Sequence, residues 1–134
     1  MPIRGTLSTR GFDVYLEQLA QAGKNVDAHA AEALLAGGTV MLTGMQQLVP
    51  VDRGELKAEL RIVGPHQDGN FTYLNVGLID APKEIQVYGT VQEFGSPSKN
   101  IPAQSYIRAG FDKVKARAMK AIKASLIAAG VASK

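Results

Sequence analysis

Residues 59–78 read ELRIVGPHQDGNFTYLNVGL, and this stretch decides the fold. Upstream of Glu59 the apolar residues recur every three or four positions, the period of a helix. From Glu59 onward the period drops to two. Leu60 and Ile62 alternate with polar neighbours. Phe71, Leu74, Val76 and Leu78 supply a second apolar set, with Tyr73, Asn75 and Gly77 between. Two strands near 58–64 and 70–79 are therefore predicted. Gly64-Pro65 and Asp68-Gly69-Asn70 form the polar connection of an antiparallel hairpin. Asp80-Ala81-Pro82 ends the second strand.

Working back toward the N-terminus, VPVDRGELKAEL (49–60) places Asp52 as the cap of a short helical turn. Glu55 lies three residues on, as in a capping box. Before it, Ala28, Ala31, Leu34, Leu35, Val40, Leu42, Met45 and Leu48 predict a helix from Val26 to Val49, ended by Pro50. Gly37, Gly38 and Gly44 each cost ~1 kcal/mol there relative to Ala, so they either admit close packing or mark a bend. Phe12, Tyr15, Leu16 and Leu19 predict a first helix over 12–22, broken by Gly23 and Asn25. Residues 1–10 show no period and read as a flexible arm.

Toward the C-terminus, EIQVYGTVQEF (84–94) fits either a helix or a strand. GSPSKNIP (95–102) reads as a loop. Ile107, Phe111, Val114, Ala118, Ile122 and Leu126 form one stripe of a long helix over 105–129, with Gly130 as its C-cap and a short tail over 131–134. The expectation is one α+β domain over 11–130. Its N-terminal helices and long C-terminal helix pack on a small antiparallel sheet.

Composition narrows the function. The chain has 134 residues, 46% apolar and 20% charged, enough for one core. It has no Cys, which removes disulfides, thiolate nucleophiles and Cys-based zinc sites and fits a reducing cytoplasm. Two histidines, His29 and His66, form no cluster. No run approaches the length of a membrane span, and the N-terminus lacks a signal-peptide core, so folding where the chain is made is expected. Neither GxGxxG nor GxxxxGK[ST] nor GxSxG occurs. Asp52, Glu55 and Glu59 are an acidic grouping in which Glu55 and Glu59, neighbours on one helical turn, could bind a divalent cation or act as an acid–base pair. Interleaved Arg53, Lys57 and Arg61 favour a capping or surface role instead. No catalytic residue, cofactor or metal site is expected.

Charge is polarised. From Arg108 to Lys134 seven basic residues face one acidic residue, a net +6, while residues 1–107 carry a net −3. Lys113, Arg117 and Lys120 fall opposite the apolar stripe of the last helix. They suit phosphates, an acidic partner, head-to-tail contact between copies, or simply water. No aromatic is interleaved with them, so stacking on single strands is not indicated by this helix.

Three ordered blocks carry a family resemblance. They are LVPVDRGELKAEL, VYGTVQEFGS and IPAQSYIRAGFD, the last leading into the basic helix. The chain resembles the tail-component family of long-tailed phages (the gene-ten-product-like family of lambdoid phages), across roughly residues 10–128. Pro50, Val51, Asp52, Gly54 and Leu56 match the first family block. Tyr88, Val91, Glu93, Phe94 and Gly95 match the second, and Pro102, Ala103, Ile107 and Arg108 the third. Arg53, Ser96 and Gln104-Ser105 depart from it.

The resemblance implies a structural, non-enzymatic virion protein at the head–tail interface, assembled in the host cytoplasm. It implies a ring of six copies between capsid connector and tail tube or tail terminator, with DNA passing through the channel and no membrane. Within such a ring, Ser96, Pro97, Ser98, Lys99 and Asn100 of the loop are one expected axial contact. Pro65, His66 and Asp68 near the hairpin tip are the other. Lys113, Arg117 and Lys120 are a further candidate. Gly54, Gly95, Pro50 and Pro102 are expected to shape the chain, and Leu56, Phe94 and Ile107 to be core. Glu93 is either an exposed residue or a buried or interfacial one needing a partner, with Arg108 or Arg53 available.

Overall fold

A computed structural model describes residues 3–49, 54–69 and 71–131. The elements run β1 (Ile3–Ser8), α1 (Asp13–Gln21), α2 (Val26–Leu48), α3 (Gly54–Glu59), β2 (Leu60–Asp68), β3 (Phe71–Leu78), α4 (Lys83–Phe94) and α5 (Ile107–Val131), with one 3-10 turn at Pro97–Lys99. Among the described residues the architecture is α+β: five helices and one three-stranded antiparallel sheet of order β1-β3-β2.

The sheet's two faces differ as a period of two requires. Leu7 of β1, Leu60 of β2 and Leu74, Val76 and Leu78 of β3 are buried toward the helices. Arg4, Thr6 and Ser8 pair across from Gly77, Asn75 and Tyr73 on the opposite face. The arm expected over 1–10 is thus corrected for Ile3–Ser8, which form an edge strand on β3. Six residues are too few to display a period against the background of a single sequence. Gly5 adds no side chain to reveal the inward face. It is Gly because a Cβ there would collide with the Phe111 ring.

The hairpin also needs one correction. Gly64-Pro65 is not part of the turn. It lies within β2, where the pairing shifts between Val63 and His66 as in a bulge, and the Gly64–Pro65 peptide is cis. Proline has no N–H to give a ladder, and an edge strand at a bulge is where a sheet tolerates it. The chain instead reverses after Asp68, with Gly69 at φ +61. Asn70 lies outside the described residues.

Helices α2 and α5 are the main layer and run antiparallel. A Cβ on Gly44 of α2 would meet both methyls of Val114 at 2.8 Å, and one on Gly110 of α5 would meet the Cα of Met45 at 2.8 Å. The α2 glycines are therefore a close-packing device, not a bend. Met41, Met45, Val114, Ala118 and Ile122 fill the seam between the helices. Burial of each large apolar side chain contributes ~1.5–3 kcal/mol, which offsets the propensity cost of the glycines. Asn25, read from sequence as a breaker of α1, is the cap of α2. Its side-chain oxygen accepts from the Ala28 N–H at 3.1 Å.

Segment 84–94 resolves as helix α4, with Pro82 just before it and Glu84 in its first turn. Three further expectations are corrected or fall outside. Phe94 is 51% exposed, not core, because the chain turns outward at Gly95. Gly130 does not cap α5, since the helix continues to Val131. Pro50 and Asp52 lie outside the described residues, as does the tail beyond Val131. Leu56 and Ile107 are core as expected.

Candidate functional site

Glu93, in the last turn of α4, is fully buried. Its carboxylate faces the start of α5, where the first N–H groups of any helix lack partners. One oxygen accepts from the N–H groups of Tyr106 (3.0 Å) and Ile107 (2.8 Å). The other accepts from the Ser105 hydroxyl (2.7 Å), the Arg108 N–H (3.2 Å) and the Arg108 Nε (2.7 Å). Arg108 adds a third bond, from Nη2 to the Glu93 carbonyl at 3.0 Å. The Ser105 oxygen meanwhile accepts from the Ala109 N–H at 3.2 Å. One carboxylate thus caps α5, with the helix dipole and a guanidinium both opposing its charge.

The electrostatics follow from that geometry. Burial pushes the Glu93 carboxyl up, but bonds from Arg108, Ser105, Ile107 and Tyr106 outweigh it and hold the group below the ordinary carboxylate range. Tyr106 is buried beside it and donates its hydroxyl to the Gly89 carbonyl at 3.0 Å. Burial first, then the charges of Glu93 and Tyr88, drive its pKa far upward. Tyr106 therefore stays a neutral donor. Of the two roles expected for Glu93, the buried, partnered one holds, with Arg108 as the partner. As an exposed assembly contact Glu93 is corrected: the side chain is consumed inside the fold.

Between the clamped ends sits the loop. Ser96 and Ile101 exchange backbone bonds of 2.8 and 3.0 Å, so the residues between them project from a closed neck. Pro97, Ser98, Lys99 and Asn100 are exposed, and Ser96 is half-buried. Gly95 closes the neck at φ +76. A Cβ there would meet the Ile101 carbonyl and the Ala103 N at 2.8 Å, so only glycine fits. Pro102 and Ala103 are exposed beside it. Val87, Phe94 and Ile101 add large exposed apolar side chains to this corner, with the Arg108 guanidinium 4.4 Å above the Phe94 ring.

The second expected contact lies at the far end of the molecule. His66 and Asp68 are exposed on β2 and Pro65 is half-buried. Gln67 Nε2 lies 3.5 Å from Asp27 Oδ1, at the N-terminal turn of α2. The loop 95–102 instead adjoins the N-terminus of α5, which packs beside the C-terminal half of α2. The two segments thus sit at opposite ends of an antiparallel helix pair about 35 Å long.

Lys113, Arg117 and Lys120 lie along the exposed side of α5 between those ends. Arg117 borders a groove of about 210 Å³ with Thr43 and Gln47 of α2. The structure does not bring the three expected groups together. Of the acidic set, only the Glu59 side chain is described; it pairs with Arg61 at 2.8 Å. Among the described residues no group of three or more His, Asp or Glu is placed to hold a metal ion, and no helix is long and apolar enough to cross a membrane.

Sequence reading missed Ser105 as part of the Glu93 site. A serine two residues before a helix is a start signal, but nothing in one sequence says which acid, twelve residues back, meets it. Compared with protein-family models, with curated proteins and with solved structures, the chain matches none.

Proposed function

We propose that the chain is a structural subunit of the neck or tail-completion type in a long-tailed phage, assembling as a ring of six copies around the DNA channel. The observation that carries this reading is bipolarity. The loop 95–102 and the hairpin tip project at opposite ends of the α2–α5 pair, as a subunit with one partner above and another below requires. The resemblance supports it further, because its second and third blocks meet physically through Glu93, Ser105 and Arg108. The exposed Val87, Phe94 and Ile101 beside the loop suit a contact buried on assembly. The charge difference between the C-terminal helix and the rest supplies two unlike patches, which head-to-tail ring contacts use.

In this role the chain does no bond chemistry. It presents a surface that the next ring recognises. Negative-stain imaging of particles from a phage lacking the gene tests the reading. DNA-filled heads beside separate tails of normal length are expected. Tails of irregular, excessive length would reassign the chain to tail termination. Joined, infectious particles would overturn the virion reading.

A further inference from the structure

The helices cover one face of the sheet. On the other face the central strand β3 carries Phe71 and Tyr73 two residues apart, their ring centroids 6.3 Å apart. His66 of β2 lies 5.5 Å from Tyr73 and extends the row. The Arg10 guanidinium sits 4.0 Å above Phe71. Arg4 and Thr6 on β1 are exposed, and Thr6 donates to Asn75 Oδ1 at 2.7 Å. A shallow depression of about 330 Å³ lies among Thr6, Ser8, Arg10, Asp68, Phe71 and Tyr73. None of these side chains contributes to the Glu93 site.

We infer that this face of the sheet binds a short single-stranded nucleic acid, with bases on Phe71 and Tyr73 and phosphates at Arg10 and Arg4. Three features select that ligand over a protein segment. Half-buried aromatic rings at alternate positions of a central strand, Phe71 with the Arg10 guanidinium on one face, offer planar groups on which bases stack, ring or guanidinium alike. Arg4 and Arg10 supply the free cations, since Arg61 is spent on Glu59; Asp112 of α5 shares a groove with Arg4. Asp68 lies on the rim of the depression, where a carboxylate accepts from an exocyclic amino group. Cytosine, adenine and guanine carry that group and thymine lacks it. A duplex hides its base faces and is refused. The site stands whether or not the chain is a neck subunit.

Fluorescence anisotropy of fluorescein-labelled dC12, dT12 and a 12-base-pair duplex, in low salt, tests this directly. The full-length protein is expected to bind dC12 more tightly than dT12 and either more tightly than the duplex. Tyr73→Ala and Phe71→Ala are each expected to weaken dC12 binding about tenfold. Tyr73→Phe keeps the π-face and retains it. Arg10→Gln lowers the salt slope by about 0.7. Asp68→Asn changes the dC12 to dT12 ratio, and thermal melting confirms each variant folds.

Four results would overturn the inference. One is no single-strand binding by the parent protein, and another is equal affinity for duplex. A third is loss of binding on neutralising Lys113, Arg117 and Lys120 with none on Tyr73→Ala, which would move the contact to α5. The last is self-association abolished by Tyr73→Ala, which would show that a second copy covers this face.

Discussion

Replacing Glu93 by glutamine alters one heavy atom and preserves volume, so packing is untouched and the clamp alone is tested. The carboxylate is fully buried and every one of its five bonds is accepted. A glutamine amide turns one of the two acceptors into a donor. Whichever way the amide sits, at least two donors then face an NH₂ group. Each buried, unsatisfied donor costs about 1–3 kcal/mol. With two of them the expected loss is about 2–6 kcal/mol, a large share of the ~5–15 kcal/mol total of an ordinary domain. At roughly 4 °C per kcal/mol the melting temperature falls by about 8–24 °C.

Urea denaturation gives the free energy directly, provided the m-value is unchanged. Arg108→Ala is the internal control. Its side chain is 57% exposed, so its removal costs only about 1 kcal/mol. A pH series adds a second axis. The folded Glu93 carboxyl lies below its unfolded value. Its contribution is thus complete above the unfolded value of about 4.3 and is lost as pH falls through the folded one. The gap between parent and Glu93→Gln is expected to stay constant from pH 8 to about pH 5 and to close below. A variant within about 0.5 kcal/mol of the parent at pH 7, or a gap that does not close in acid, would refute the reasoning.

Gly110→Ala, although a gain in helix propensity, is expected to destabilise by about 1–3 kcal/mol, because the new methyl meets backbone of α2; urea midpoints decide it. Gly130→Ala is expected to stabilise by up to about 1 kcal/mol, since its Cβ would lie 3.8 Å from Leu19 Cδ2 in ordinary contact; equal effects at the two glycines would sink the close-packing account. Tyr106→Phe removes the bond to Gly89 and is expected to cost about 1 kcal/mol, read from the same midpoints.

Much of the fold is legible in the sequence because long periodic segments dominate it. α2 and α5 appear as apolar stripes, and the switch at Glu59 from a period of three or four to a period of two marks the hairpin. What stays hidden depends on partners distant in sequence. β1 is a strand because β3 offers it a ladder and Phe111 needs the space above Gly5. α4 is helical because one side of it packs on the core; its composition alone serves either element. Glu93 stands out in the sequence as the one charge in an apolar block, with Arg108 or Arg53 as its available partner. The capping of α5 by that same carboxylate is a three-dimensional fact. Phe71, expected with Leu74, Val76 and Leu78 on the apolar alternation, is corrected: it lies with Tyr73 on the outer face, because residues two apart in a strand share a face. Only the register of β2 on β3 adds His66 to them.

The neck at Ser96 and Ile101 has a consequence for how this surface can change. The relative placement of α4 and α5 is fixed by Glu93 and Arg108, below the loop, and the loop's own ends are pinned by two backbone bonds. Residues 97–100 therefore hold nothing together. Lengthening such a loop costs only about 0.6 kcal/mol per doubling. Its sequence can be rewritten, extended or fused to a reporter while the scaffold beneath stays intact. Natural variation can change these four residues without renegotiating the core.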